Sequence, residues 1–187
     1  MTDPDQFDIS RHSPAPLRME AKAVFNASPE KLFSTLSNPH AVASWVPLMQ
    51  SLHMDHGANG TSAECGVGSV RHCAMRGMGE LNETIVWWNP PHGYAFQVST
   101  KIKMMLPTED HVSVMLISPD GKGGSILTWQ HYFNWRGLLM RHMAAIMLPM
   151  MMNTALKNIR GELGGAGGKM RMIKQCEASL CHKSCCK

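Results

Sequence analysis

No apolar run in this chain reaches the length that a bilayer-spanning helix needs, about 18 residues without a charge. The nearest candidate, LLMRHMAAIMLPMMM, is interrupted by Arg141, His142 and Pro149. The first stretch, MTDPDQFDISRHSPAPLR, contains no apolar h-region, so it does not read as a secretory leader, and a cytoplasmic location is expected. Also missing are G-x-S-x-G, H-E-x-x-H, a Walker loop and a dinucleotide fingerprint, and with them the chemistries those motifs support. The glycines of GELGGAG follow a helical pattern instead of a strand, which removes a phosphate-loop reading. There is no internal repeat, and no helical pattern separates the successive strand patterns. A doubly wound parallel sheet is therefore not expected. No cofactor is expected.

What is present begins with methionine, at 17 of 187 residues. Methionine fills irregular space in cores and lines adaptable binding surfaces, and both readings apply here. A chain of this length buries a core without staples. Six cysteines in a cytoplasmic setting are read as thiols. The net charge of +4 is uneven: residues 157–187 carry +5 and residues 1–156 carry −1. A basic tail can touch anionic lipid or nucleic acid, or simply be solvated. Nucleic-acid binding would rest on that tail alone and is not expected; a weak membrane-surface contact through it is the only further partner considered.

Along the chain, residues 1–16 are polar and without period, a loose lead-in. Residues 17–26 alternate as a strand. Ser28-Pro29 is an N-cap followed by proline at the first helical position, and Leu32, Phe33 and Leu36 form that helix's apolar stripe. Asn38-Pro39 ends it and starts a second short helix, which Pro47 closes. Strand patterns follow near 48–55, 66–76, 79–88, 93–103, 109–118 and 125–135, separated by Gly, Pro and Asp turns. Residues 137–163 switch to helical period, with Pro149 inside and Gly161 or Gly164 as the stop. GGAGG then reads as a flexible linker to the tail. The spacing predicts an α+β architecture: an antiparallel meander whose apolar face is covered by the one long helix.

The run LTWQHYFNW carries the clearest alternation. Leu127, Trp129, His131, Phe133 and Trp135 fall on one face; Thr128, Gln130, Tyr132 and Asn134 fall on the other. The apolar face would meet the long helix. A curved sheet and a single helix leave space between them, and apolar cavities bind apolar ligands.

Four words in order, FNASPEKLFSTLSNPHAVASWVP (25–47), GVGSVRHCAM (66–75), GELNETIVWWNPPHGYAFQV (79–98) and ILTWQHYFNW (126–135), resemble the START/Bet v 1-like (SRPBCC) superfamily. The resemblance spans residues 17–163 and is strongest to the polyketide cyclase/dehydrase-like branch. It implies a helix-grip fold: a curved seven-stranded antiparallel sheet around a long C-terminal helix, with two short helices after the first strand. It also implies an internal cavity for a hydrophobic or amphipathic small molecule. The superfamily includes lipid carriers, hormone binders and aromatase/cyclases, so the fold leaves carrier and enzyme both open. The expected organisation is a loose segment 1–16, a ligand-binding domain 17–163, and a linker with a basic Cys-rich tail 164–187.

Within that frame Glu83 and His131 are the candidate catalytic residues. His131, on the apolar parity of its strand, could act as general acid or base, or be a hydrogen-bonded cavity histidine. Glu83 shares parity with Leu81, Ile85 and Trp87, but Asn82, Thr84, Val86 and Trp88 offer a second pattern, so either face could be inward. Its alternative reading is an ion pair with Arg71 or Arg76. The expected ligand-binding set is Trp45, Arg71, Trp87, Tyr94, Phe96, Trp129, Phe133, Trp135, Met143 and Met147. Trp45 is placed at the cavity mouth by the resemblance, as gate or anchor. In the tail, Cys176, Cys181, His182, Cys185 and Cys186 could chelate Zn or Cu(I), although the paired C-x2-C spacing of structural zinc sites is missing and reactive thiols are the competing reading. The leading function is binding or transport of a lipid, isoprenoid or aromatic polyketide-like molecule. The alternatives are a cyclase/dehydrase-type enzyme acting on such a ligand, and metal binding through the tail.

Overall fold

Two side-chain caps start the short helices. In a computed structural model, which describes residues 7–56, 65–77, 79–100 and 106–173, the Ser28 hydroxyl accepts the Lys31 N–H at 3.4 Å at the head of α1 (Pro29–Ser37). The Asn38 carboxamide accepts the His40 N–H at 2.9 Å at the head of α2 (Pro39–Trp45), while the Asn38 N–H closes α1 on the Ser34 carbonyl. These helices follow the first strand, β1 (Leu17–Phe25), as expected.

The meander then runs β2 (Met49–Asp55), β3 (Val70–Met75), β4 (Gly79–Asn89), β5 (Gly93–Thr100), β6 (Thr108–Pro119) and β7 (Ser125–Trp135), all antiparallel. β7 pairs back onto β1, and the long helix α3 (Leu138–Leu163) follows. This is the helix-grip fold. The sheet has eight strands, because a two-residue β8 (Arg171–Met172) adds to the outer side of β1.

That added strand corrects the reading of the glycine-rich segment as a flexible linker. Ala166 exchanges hydrogen bonds with Val24 at 3.1 and 3.0 Å, and Met170 is a buried core residue. The Asn153 side chain holds the Met170 backbone on both sides, accepting its N–H at 2.8 Å and donating to its carbonyl at 3.2 Å. The glycines serve close approach: a Cβ at Gly165 would overlap the Val24 carbonyl, and one at Gly168 would lie 2.5 Å from the Ala23 Cβ. The lead-in also differs from expectation within its described part. Phe7 stacks on His12 with ring centroids 5.3 Å apart and leans on Trp87 at 5.5 Å. Ser13 and Ala15 are buried, and the Ser13 hydroxyl donates to the Asp110 carbonyl at 2.7 Å. Residues 7–16 therefore cover apolar residues on the outer face of the sheet, among them Ala95, Val112 and Val114.

Two bulges decide which side chains reach the interior. In β4 the register shifts between Ile85 and Trp87. Before it Leu81, Glu83 and Ile85 point inward; after it Trp88 points inward and Trp87 joins the outer cluster. Both alternating patterns seen in the sequence are thus real, each for half of the strand. In β6 the shift lies between Glu109 and Val112, with Asp110 at φ 52°. It lets Thr108 and His111, three residues apart, face the same interior. β7 needs no such device: Leu127, Trp129, His131 and Phe133 are all buried, as their alternation predicts.

Candidate functional site

Between the sheet and α3 lies a cavity of about 100 Å³. Its apolar wall comes from Val42 and Trp45 of α2, Met49, Met75, Leu81, Phe96, Val98 and Trp129 of the sheet, and Leu148, Met151, Met152 and Ala155 of α3. Six polar residues interrupt it: Arg71, Glu83, Thr108, His111, Ser113 and His131.

Arg71 and Glu83 are directly opposite each other on β3 and β4. Arg71 Nη2 lies 2.8 Å from Glu83 Oε2. The guanidinium is 2% exposed and sits over the rings of Phe96 at 4.7 Å and Tyr94 at 5.5 Å. Burial works against its charge, but Glu83 and the other groups around it outweigh burial and hold its pKa above the ordinary value. One of the two partners foreseen for Glu83 is therefore the real one.

Across the cavity, histidines from neighbouring strands form a pair. His111 Nε2 lies 3.1 Å from His131 Nδ1, and His111 Nδ1 lies 3.3 Å from the Thr108 hydroxyl. Burial brings the His111 pKa down to about 4. Burial, and then the neighbouring His111, also lowers that of His131. Both rings are neutral at pH 7. Next to them the Trp129 indole N–H donates to the Ser113 hydroxyl at 2.9 Å. Among the described residues, two buried polar atoms of this wall have no hydrogen-bond partner: Arg71 Nε and His131 Nε2.

The expected site residues divide sharply. The structure brings Glu83, His131, Trp45, Arg71, Phe96 and Trp129 to the cavity wall. Trp45 is 3% exposed, donates its indole N–H to the Thr35 carbonyl at 3.1 Å, and meets the Trp129 ring edge-on at 6.1 Å. It is an anchored wall residue. Tyr94 and Phe133 are fully buried but off the wall. The Tyr94 hydroxyl donates to the Leu36 carbonyl at 2.7 Å, and burial raises its pKa to about 12. Phe133 packs against Trp135 at 4.8 Å and His111 at 5.2 Å, so Trp135 also lies behind the wall. Trp87 is carried to the outer face by the β4 bulge. Met143 is 66% exposed and Met147 packs against a secondary core cluster. The helix is rotated away from the face that carries Met143 and Met147. Ala144, Leu148, Met151, Ala155, Leu156 and Ile159 are its buried residues.

Thr108, His111, Ser113, Met49 and Met75 were not foreseen. In HVSVMLI both parities are nearly equally apolar, so only the pairing of Ser113 with His131 identifies the inward set. Cys65 and Cys73 are free thiols. Among the described residues no group of three or more His, Cys, Asp or Glu is placed to hold a metal ion. Cys176, Cys181, His182, Cys185 and Cys186 lie outside the described residues. Among the described residues no helix is long and apolar enough to cross a membrane.

The antiparallel sheet and the long helix packed on it define a helix-grip protein. Residues 16–164 match the family model described as "Polyketide cyclase / dehydrase and lipid transport". The chain belongs to that family, within the START/Bet v 1-like (SRPBCC) superfamily. Solved structures agree on the fold. XoxI of Bacillus cereus aligns with a TM-score of 0.62 at 14% identity, covering 79% of this chain and 96% of that one. Ara h 8.0201 aligns at 0.58 and 16% identity, covering 79% and 97%. A conserved protein of Geobacillus kaustophilus aligns at 0.58 and 14% identity, covering 78% and 94%. No curated protein sequence matches the chain.

Proposed function

We propose that the protein binds or carries a hydrophobic small molecule, a lipid, isoprenoid or aromatic polyketide-like compound, in the cavity under α3. The observation that supports this most is the composition of the wall: an apolar lining with four methionines, Met49, Met75, Met151 and Met152. A cavity of about 100 Å³ is smaller than the ~150 Å³ engineered cavity that accepts benzene. A larger ligand must displace wall side chains, and unbranched methionines move at low cost. Membership in a family described by lipid transport as well as cyclase chemistry supports the same reading.

Native mass spectrometry of the protein purified from its host, followed by extraction, tests this. A stoichiometric apolar molecule is the expected result. A protein that carries none and takes up none on incubation with lipid extract contradicts it.

One observation favours the enzymatic alternative, the neutral His111–His131 pair in the wall, which could pass a proton to or from a bound carbonyl compound. Glu83 is engaged by Arg71 and would act as its counter-ion. In that case His131→Ala abolishes turnover of a bound substrate while binding persists. Turnover that survives His131→Ala removes the histidine from the chemistry.

A further inference from the structure

Resting on the cavity-binding reading, we infer that the ligand is uncharged and carries an oxygen that accepts hydrogen bonds: a ketone, ester or alcohol on an otherwise apolar body. The two unpartnered buried atoms carry this inference. Arg71 Nε–H is a donor only, on a group that stays protonated, so it requires an acceptor. His131 Nε2 ends a chain of three side chains. If the Thr108 hydroxyl donates to His111 Nδ1, His111 Nε2–H donates to His131 Nδ1 and leaves His131 Nε2–H unpartnered on a residue of the cavity wall. With the chain reversed, Nε2 offers a lone pair that only an alcohol could meet. In both polarities an oxygen satisfies what the protein leaves open, and a hydrocarbon satisfies neither atom.

The charge balance sets the second half of the inference. Glu83 already neutralises Arg71 at 2.8 Å. Both histidines are uncharged at pH 7, held so by burial. The wall therefore has no net positive charge for an anion, and a carboxylate brought in from water would be buried without compensation. A fatty-acid anion is the ligand this wall rejects.

Three eight-carbon probes separate the possibilities: octane, 2-octanone and octanoate, titrated into the full chain at pH 7.5 and followed by tryptophan fluorescence, since Trp45 and Trp129 line the cavity. The ketone should bind at least about tenfold more tightly than either other probe, as one additional well-made hydrogen bond implies. In His131→Phe the preference for ketone over octane should fall to within about threefold, with octane affinity kept. Octanoate binding as tightly as the ketone overturns the inference, and so does octane binding as tightly as the ketone; a ketone preference that survives His131→Phe leaves Arg71 Nε as the group that meets the oxygen. Equal binding of all three removes this inference and leaves the cavity reading standing; binding of none removes both. Because His131→Phe strands His111 and can impair folding, the unmodified protein supplies a second test. The His131 Nε2 nitrogen resonance should shift with 2-octanone and not with octane; a resonance that ignores a bound ketone removes the His131 contact and leaves the oxygen to Arg71 Nε.

Discussion

The interior has two ends, built from the same strands and opposite in character. At one end Phe33 meets Trp88 at 5.0 Å and Tyr94 at 6.0 Å, both edge-on, over Leu32, Leu36 and Phe25, which are completely buried. At the other end Met49, Met75, Met151 and Met152 surround a cavity and a set of polar groups. β4 contributes Trp88 to the first end and Glu83 to the second; β5 contributes Tyr94 to the first and Phe96 to the second. Rigid rings interlock to native density, whereas thioether chains tolerate space. A single sheet face can therefore be a packed core at one end and a deformable container at the other. The polar groups follow the same division. The Tyr94 hydroxyl is satisfied by the Leu36 carbonyl, while Arg71 Nε and His131 Nε2 are left open at the container end.

The largest break in this comparison should come from the packed end. Phe33→Ala removes the ring between Trp88 and Tyr94 and should cost about 3–5 kcal/mol in a urea or guanidinium unfolding titration. A loss under about 1 kcal/mol would mean that this end is as loose as the other.

Acid should act next, and at the container end. The histidine pKa values lie below their ordinary value of 6.5 in the fold, with His111 at about 4. As pH falls below 6.5 the unfolded chain takes up these protons first. The stability tied to the neutral pair is thus complete above pH 6.5 and declines as pH falls toward about 4. The slope from each histidine is roughly 1.4 kcal/mol per pH unit. Unfolding free energies measured at a series of pH values check this, and His131→Phe should flatten the profile.

Two methionines of α3, one buried and one exposed, sharpen the contrast with smaller effects. Met151 is 8% exposed on the cavity wall, and Met151→Ala should cost about 2 kcal/mol while enlarging the space for ligand. Met143 is 66% exposed, and Met143→Ser should leave stability within about 0.5 kcal/mol and ligand binding unchanged. Equal costs at the two positions would contradict the assignment of the helix's inner face.

The elements that were legible in advance are those with one unambiguous signal. The alternation in LTWQHYFNW is continuous, so its inward face and His131 followed directly. Ser28-Pro29 and Asn38-Pro39 fixed both short helices by cap chemistry. The rest was hidden by two physical causes. Bulges in β4 and β6 exchange the faces of a strand part-way along, which no constant period of two can express. That is how Trp87 was assigned inward and His111 was missed. In α3 methionines are buried, as Met151, and exposed, as Met143 and Met150, so hydrophobicity alone does not single out a face, and the inner line includes the small Ala144 and Ala155. The glycines after α3 read as flexibility because a sequence does not display the strand they press against.

The most direct test of the container end is a crystal structure of the protein grown with 2-octanone. The expected result is ligand density between Trp129, Met151 and Met152, with those methionines displaced and the ketone oxygen within hydrogen-bond distance of His131 Nε2 or Arg71 Nε. An interior that stays closed under saturating ketone, with the methionines unmoved, would contradict it and make this end of the molecule a packed core like the other.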